Sequence, residues 1–228
     1  MSGQNVGNTA LGAATCRLIE QYQPKHFRLF VDPVVGDLVG GLIRTLMRSA
    51  WMRRVAVRRM EGMLPGLYGA QVCRTRYIDD VVQSGTGHGI DQLVLLGAGL
   101  DTRPYRLPGV GGVTVFELDL PALQVRKQAR LRNCLRSLPD NVRFVPVDFD
   151  VDDLGTILAK AGFDRSRPAV FVWEGVTQYI TEARAQDADL RGRLRHRLYP
   201  RVHLCPTKRR RAPVTRSWSR CADGLLDR

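Results

Sequence analysis

The sequence predicts an α/β protein built on a parallel, Rossmann-like sheet, and three observations predict it. From Gln92 onward the short apolar runs Gln92–Leu96, Val113–Leu118, Val142–Val147 and Ala169–Trp173 alternate with helical stretches, the order that a doubly wound sheet requires. The first run passes into a glycine turn, Gly97-Ala98-Gly99. The second ends in acids, Glu117 and Asp119, which lie 20 and 22 residues beyond Gly97, where such folds hold a ribose.

The first ninety residues read mainly as helix. Leu38, Leu42, Leu46 and Ala50 repeat at four-residue steps beside Val39, Ile43, Met47 and Trp51, a broad apolar stripe on one helix that starts at Asp32-Pro33 and stops at Gly62. Arg44, Arg48, Arg53, Arg54, Arg58 and Arg59 accompany the stripe. A membrane-surface or lid role competes there with a solvated helix face, and the solvated face is the simpler reading. Between the second and third strands, Leu123, Lys127, Leu131 and Leu135 set a helix over Pro121–Leu138, and Asp152–Ala161 makes another before the fourth strand. After Ile180 the texture changes. Leu190, Leu194 and Leu198 suit one short helix, and beyond Pro200 there is no periodicity and no Phe or Ile. The expected organisation is a helical cap segment over 1–90, an incomplete sheet core over 91–182 and a basic tail over 183–228.

Composition narrows the classes. With 228 residues, 44% of them hydrophobic and 25% charged, the chain is an ordinary soluble globular protein. No apolar run approaches the ~20 residues of a membrane-spanning helix. The N-terminus has no secretory pattern, and the five scattered cysteines read as reduced thiols, so a cytoplasmic protein without membrane partners is expected. The net charge of +13 belongs mostly to the tail. Residues 1–180 hold 22 Lys and Arg against 17 acids, and the last 48 residues hold 13 against 5. Lys208 to Arg211, with Arg216, Trp218 and Arg220, would attract nucleic acid only non-specifically.

Gly97 and Gly99 let backbone approach a ligand closely, since no Cβ intervenes. The dinucleotide fingerprint is incomplete, because Thr102 and Arg103 stand where its third glycine would come, so a diphosphate would meet side chains. The loop suits a ligand carrying a ribose and an amino acid. Asp148 and Phe149 close the third strand, where a carboxylate accepts from an adenine amino group and an aromatic ring covers the base. A nicotinamide-dependent oxidoreductase and a basic nucleic-acid-binding protein are the alternative readings.

These blocks together resemble a known family. LLGAGLDTRPYRL, VFELDLPALQVRKQARL, VPVDFD and FVWEGVTQYIT, preceded by FRLFVDP and CRTRYIDD, resemble the S-adenosylmethionine-dependent methyltransferases of the leucine carboxyl methyltransferase type, especially the bacterial ones, over roughly residues 9–182. The resemblance implies a class I methyltransferase fold with S-adenosyl-L-methionine as cofactor. It implies Gly97 and Gly99 along the cofactor, Asp119 (less readily Glu117) on the ribose hydroxyls, and Asp148 and Phe149 on the adenine edge. Arg74, with Arg76 as neighbour, would meet the methionine carboxylate, and Glu174 would lie below the amino acid portion. The acceptor it implies is a carboxylate or hydroxyl oxygen of a small molecule or protein. A carboxylate needs no general base, so no catalytic residue and no metal ligand is assigned.

Beyond residue 182 the chain departs from the family, and the closing strands are missing from the pattern. A frame shift in a GC-rich gene would give this Arg-, Ala- and Pro-rich composition, in which case another frame carries family-like strands. The expected consequences are an open edge at Val170, Phe171 and Val172, a tendency to self-association and impaired activity.

Overall fold

The computed structural model describes residues 3–175. The expected tail, its short helix and the expected absence of closing strands concern residues outside the described ones. Five helices come first: α1 (Gly3–Glu20), α2 (Val35–Leu38), α3 (Gly41–Arg48), α4 (Ala50–Met63) and α5 (Leu67–Gly87). The sheet region follows as β1 (Gln92–Leu96), α6 (Arg103–Arg106), β2 (Thr114–Asp119), α7 (Pro121–Cys134), β3 (Val142–Pro146), α8 (Leu154–Lys160) and β4 (Ala169–Trp173). The strands are all parallel, in the order β3-β2-β1-β4. This is an α/β Rossmann-like sheet with flanking helices.

The strands read as near-continuous apolar runs because both faces of a parallel sheet are covered. Leu93, Leu95, Val115, Val170 and Val172 face one layer, where Ile78 and Val82 of α5 pack. Val94, Leu96, Phe116, Leu118 and Phe171 face the other, against Ile157 and Leu158 of α8. The register sets Leu96 beside Leu118 on one side and Trp173 on the other. Gly97 and Glu174, which follow β1 and β4, and Asp119, the last residue of β2, therefore leave the sheet at one level. Between β1 and β4 the strand order reverses, which opens a crevice at the strands' carboxyl ends. β4 pairs with β1 and forms the sheet edge among the described residues.

The helix expected from Asp32 to Gly62 is three helices. Gly40, at φ +92°, separates α2 from α3, a turn that favours glycine. Ser49 is extended and caps α4 by accepting from the Met52 N–H. The break re-aims the stripe. Leu38, Val39 and Met47 are buried, and Leu42, Leu46 and Trp51 are exposed. α7 also ends earlier than its leucine spacing suggests, because Leu135 turns to extended backbone. No helix among the described residues is long and apolar enough to cross a membrane.

Candidate functional site

A cavity of 390 Å³ opens at the carboxyl ends of the strands. The loops after all four strands line it, together with Thr9, Ala10, Ala13 and Arg17 of α1 and Gln71, Arg74 and Thr75 of α5. Gly97, Gly99, Asp119, Asp148, Phe149, Arg74 and Glu174 all border this one space. The two residues offered as alternatives do not. Glu117 is fully buried behind the cavity, where it accepts from Tyr105 Oη at 2.9 Å and pairs with Lys127 Nζ at 2.7 Å. Arg76 lies on the surface, paired with Asp80 at 2.9 Å and donating to the Leu29 carbonyl.

Local geometry explains the glycine turn. Gly97 and Gly99 have φ of +66° and +44°, and a Cβ on Gly99 would come within 3.2 Å of Ala10. The Gly99 N–H donates to Asp119 Oδ2 at 2.5 Å, and the Leu120 N–H donates to Oδ1 at 2.7 Å. Asp119 thus fastens the β1 loop to the end of β2 while its remaining lone pairs border the cavity. Asp148 accepts from the Asp150 N–H at 3.0 Å, which shapes the loop that carries Phe149.

Beneath the cavity lies a charge network whose role the sequence does not announce. Arg103 is buried and donates to Asp79 at 2.8 Å, Asp101 at 2.5 Å and Glu174 at 3.1 Å. Arg106 grips both oxygens of Asp79 at 2.7 and 2.8 Å. Arg17 donates to the Leu100 carbonyl at 2.6 Å and to Thr102 Oγ1 at 3.0 Å, and the Thr102 hydroxyl donates to Asp32 at 2.6 Å. Arg74 Nε completes the set by donating to Glu174 at 2.9 Å. The one available signal was that these residues, Arg17 excepted, come from the blocks FRLFVDP, CRTRYIDD, LLGAGLDTRPYRL and the Trp173-Glu174 pair; nothing in the sequence marks Arg17.

Ionisation follows from this network. Burial works against a charged Asp101, but the cations of Arg103, Arg17 and Lys127 hold its carboxyl down at about 2. Glu174 is likewise opposed by burial and lowered by Arg103 and Arg74, so it is anionic at neutral pH. Burial raises Asp119 above the usual carboxylate range, partly offset by the Gly99 and Leu120 N–H groups. Burial also raises Glu117.

A depressed carboxyl gives stability that is in place above its unfolded pKa and is lost as the pH falls through the folded one. A raised carboxyl acts in the opposite sense, its cost being relieved as the pH falls through its folded value. The urea midpoint is therefore expected to withstand mild acidification and to drop as the pH falls from about 4 toward about 2, Asp101 alone contributing about 2 kcal/mol. Urea titrations over a pH series check this. A midpoint already falling between about pH 7 and about pH 5 would contradict it.

Comparison with known proteins bears on the same residues. The sequence pattern of the family described as leucine carboxyl methyltransferase matches residues 10–191. Relatives in Mycobacterium avium, Mycolicibacterium smegmatis and Mycobacterium tuberculosis, each provisionally named an S-adenosyl-L-methionine-dependent methyltransferase, are 36%, 34% and 33% identical over 184, 181 and 192 residues. Those alignments cover 80%, 77% and 81% of this chain and 58%, 58% and 59% of the relatives, so the chain spans under two thirds of their length. The family match extends over the strand ends, the helices around them and the buried charge network, and on that ground the chain belongs to the leucine carboxyl methyltransferase family.

Proposed function

We propose that the cavity binds S-adenosyl-L-methionine and that the whole protein, in the cytoplasm, moves its methyl group to a carboxylate or hydroxyl oxygen of a small molecule or protein. The observation that carries this reading is the set of groups at four parallel strand ends facing one 390 Å³ space: Gly97 and Gly99, Asp119, Asp148 with Phe149, and Glu174. The donor set fits such a ligand. A buried carboxylate with spare lone pairs suits a ribose diol, Asp148 and Phe149 suit an adenine edge, and an arginine–glutamate pair suits the two charged ends of an amino acid.

When bound, the cofactor supplies a methyl group already activated by a sulfonium charge. The chain's own residues then bind and orient. Asp119 would hold the ribose side, and Arg74 would take the carboxylate through its remaining N–H groups. Glu174, kept anionic by Arg103 and Arg74, would face the positive end. Gly97 and Gly99 leave room for backbone contact. Positioning of two reactants is the main task, and an ionised carboxylate acceptor needs no base.

Calorimetric titration of the full chain with S-adenosyl-L-methionine and, separately, NAD tests the reading. Saturable heat with the first is expected, and a ligand at about 100 times its Kd adds about 2.7 kcal/mol of stability. Saturation by NAD alone would replace it with the oxidoreductase reading.

A further inference from the structure

The sequence leaves the arginine-rich side of α4 between a solvated helix face and a membrane-surface role, and its composition in three dimensions supports the second. Met52, Ala56, Val57 and Met60 pack into the N-terminal core. The opposite strip, at helical spacing from Trp51, holds Arg54, Val55 and Arg58, with Arg59 at its flank, all exposed. Trp51 is 66% exposed, and on α3, one residue away in sequence, Leu42 is 75% exposed. Leu46 and Met63 are exposed as well. Folding leaves most of Trp51, Leu42 and Met63, and part of Leu46 and Val55, to solvent.

The charges on this side are equally unspent. Arg44 pairs with Asp37, and Arg53 donates to the Met47 and Arg48 carbonyls and covers the Tyr22 ring. No ion pair is formed by Arg48, Arg54, Arg58 or Arg59 among the described residues. Glu61 is the one acid between residues 41 and 63, and it is turned to the Gly66 and Tyr68 N–H groups at 2.6 and 3.1 Å. Four guanidiniums without an ion pair among the described residues thus share α3 and α4 with an exposed indole and exposed aliphatic side chains. The last 48 residues, with 13 basic and 5 acidic side chains, carry the same sign and are electrostatically ill-suited to cover this side.

We propose that α3 and α4 dock the protein on an anionic lipid bilayer, the arginines at the phosphates and Trp51 with its aliphatic neighbours at the headgroup–acyl boundary. An indole beside cationic residues is the side-chain set of an interfacial helix. A nucleic acid would also draw the arginines and stack on an indole, but it gives no place to Leu42, Leu46 and Val55. The docked helix adjoins the cavity wall, because Met60 Sδ lies 3.5 Å from Cys16 Sγ of α1.

The test mixes the full chain with vesicles of equal parts phosphatidylglycerol and phosphatidylcholine, and with phosphatidylcholine alone. Co-sedimentation with the anionic vesicles only is expected, together with quenching of indole emission by lipids brominated on their acyl chains. The quenching should disappear in Trp51→Ser. The triple variant Arg54→Gln, Arg58→Gln, Arg59→Gln should keep the wild-type urea midpoint and lose roughly a hundred-fold in vesicle affinity. Undiminished binding by a folded triple variant would assign the attraction to the basic tail and overturn the proposal. So would an absence of binding, or equal capture by heparin without acyl-chain quenching of Trp51.

Discussion

Replacing Arg103 with methionine is expected to remove about 3–5 kcal/mol of folding stability, out of the roughly 5–15 kcal/mol that holds a typical domain together. The guanidinium is 2% exposed and bonds to Asp79, Asp101 and Glu174 together. Methionine fills much of the volume and leaves the carboxylates in place. Asp79 keeps Arg106 and Glu174 keeps Arg74, so the exposed loss falls chiefly on Asp101. Its depressed pKa depends first among the cations on Arg103, and without that charge burial prevails and the carboxyl rises.

The variant should therefore gain stability on mild acidification, as a raised carboxyl takes its proton in the folded state, whereas the wild type gains none through Asp101. Urea midpoints of both proteins at neutral and mildly acidic pH check the size and the sign. Arg76→Met is the internal comparison, since the exposed Arg76–Asp80 pair should cost well under about 1 kcal/mol. Equal losses from the two substitutions would mean that the buried network does not hold the fold.

What could be read in the sequence and what could not divide along physical lines. The strands were legible because two-sided burial writes itself as unbroken apolar runs, and Gly97, Asp119 and Asp148 were legible because each stands at the end of such a run, whereas Arg74 and Glu174 came only through the family resemblance. Gly97, Asp119 and Asp148 need only the strand's end to be placed. The helical region was harder. Leu42 and Leu46 continue the spacing of Leu38, but Gly40 and Ser49 break the helix and send them outward. Spacing alone is blind to such a break.

The charge network was illegible for another reason. Arg17 and Thr102 are 85 residues apart, and Arg74 and Glu174 are 100 apart. A single arginine on an amphipathic helix looks like surface charge until the topology brings its acid to it. The choice between Glu117 and Asp119 belongs to the same category. Both sit at the end of β2, and only the Tyr105 and Lys127 partners reveal that Glu117 is spoken for.

Asp119→Ala is expected to weaken binding of S-adenosyl-L-methionine by at least a hundred-fold (~10²), since hydrogen bonds to a charged group contribute about 1.5–3 kcal/mol each and two ribose hydroxyls are at stake. The substitution also frees the Gly99 and Leu120 N–H groups, so lost affinity by itself would not separate ligand contact from loop distortion. The pH profile of Asp119→Asn separates them. Asparagine keeps one acceptor oxygen for the backbone, sets its NH2 against the second N–H and removes the charge. Burial holds the Asp119 carboxyl above its ordinary range, and donated ribose hydroxyls favour the ionised form. Wild-type affinity should therefore weaken as the pH falls through this raised value, because the ligand then meets a protonated acid. In Asp119→Asn that component should vanish, leaving an affinity between those of the wild type and the alanine variant. Calorimetry of the three proteins over a pH series reads both effects. An Asn variant that is as weak as Ala and keeps the wild-type pH profile would move the ribose away from Asp119, because the titrating group would then lie elsewhere in the cavity.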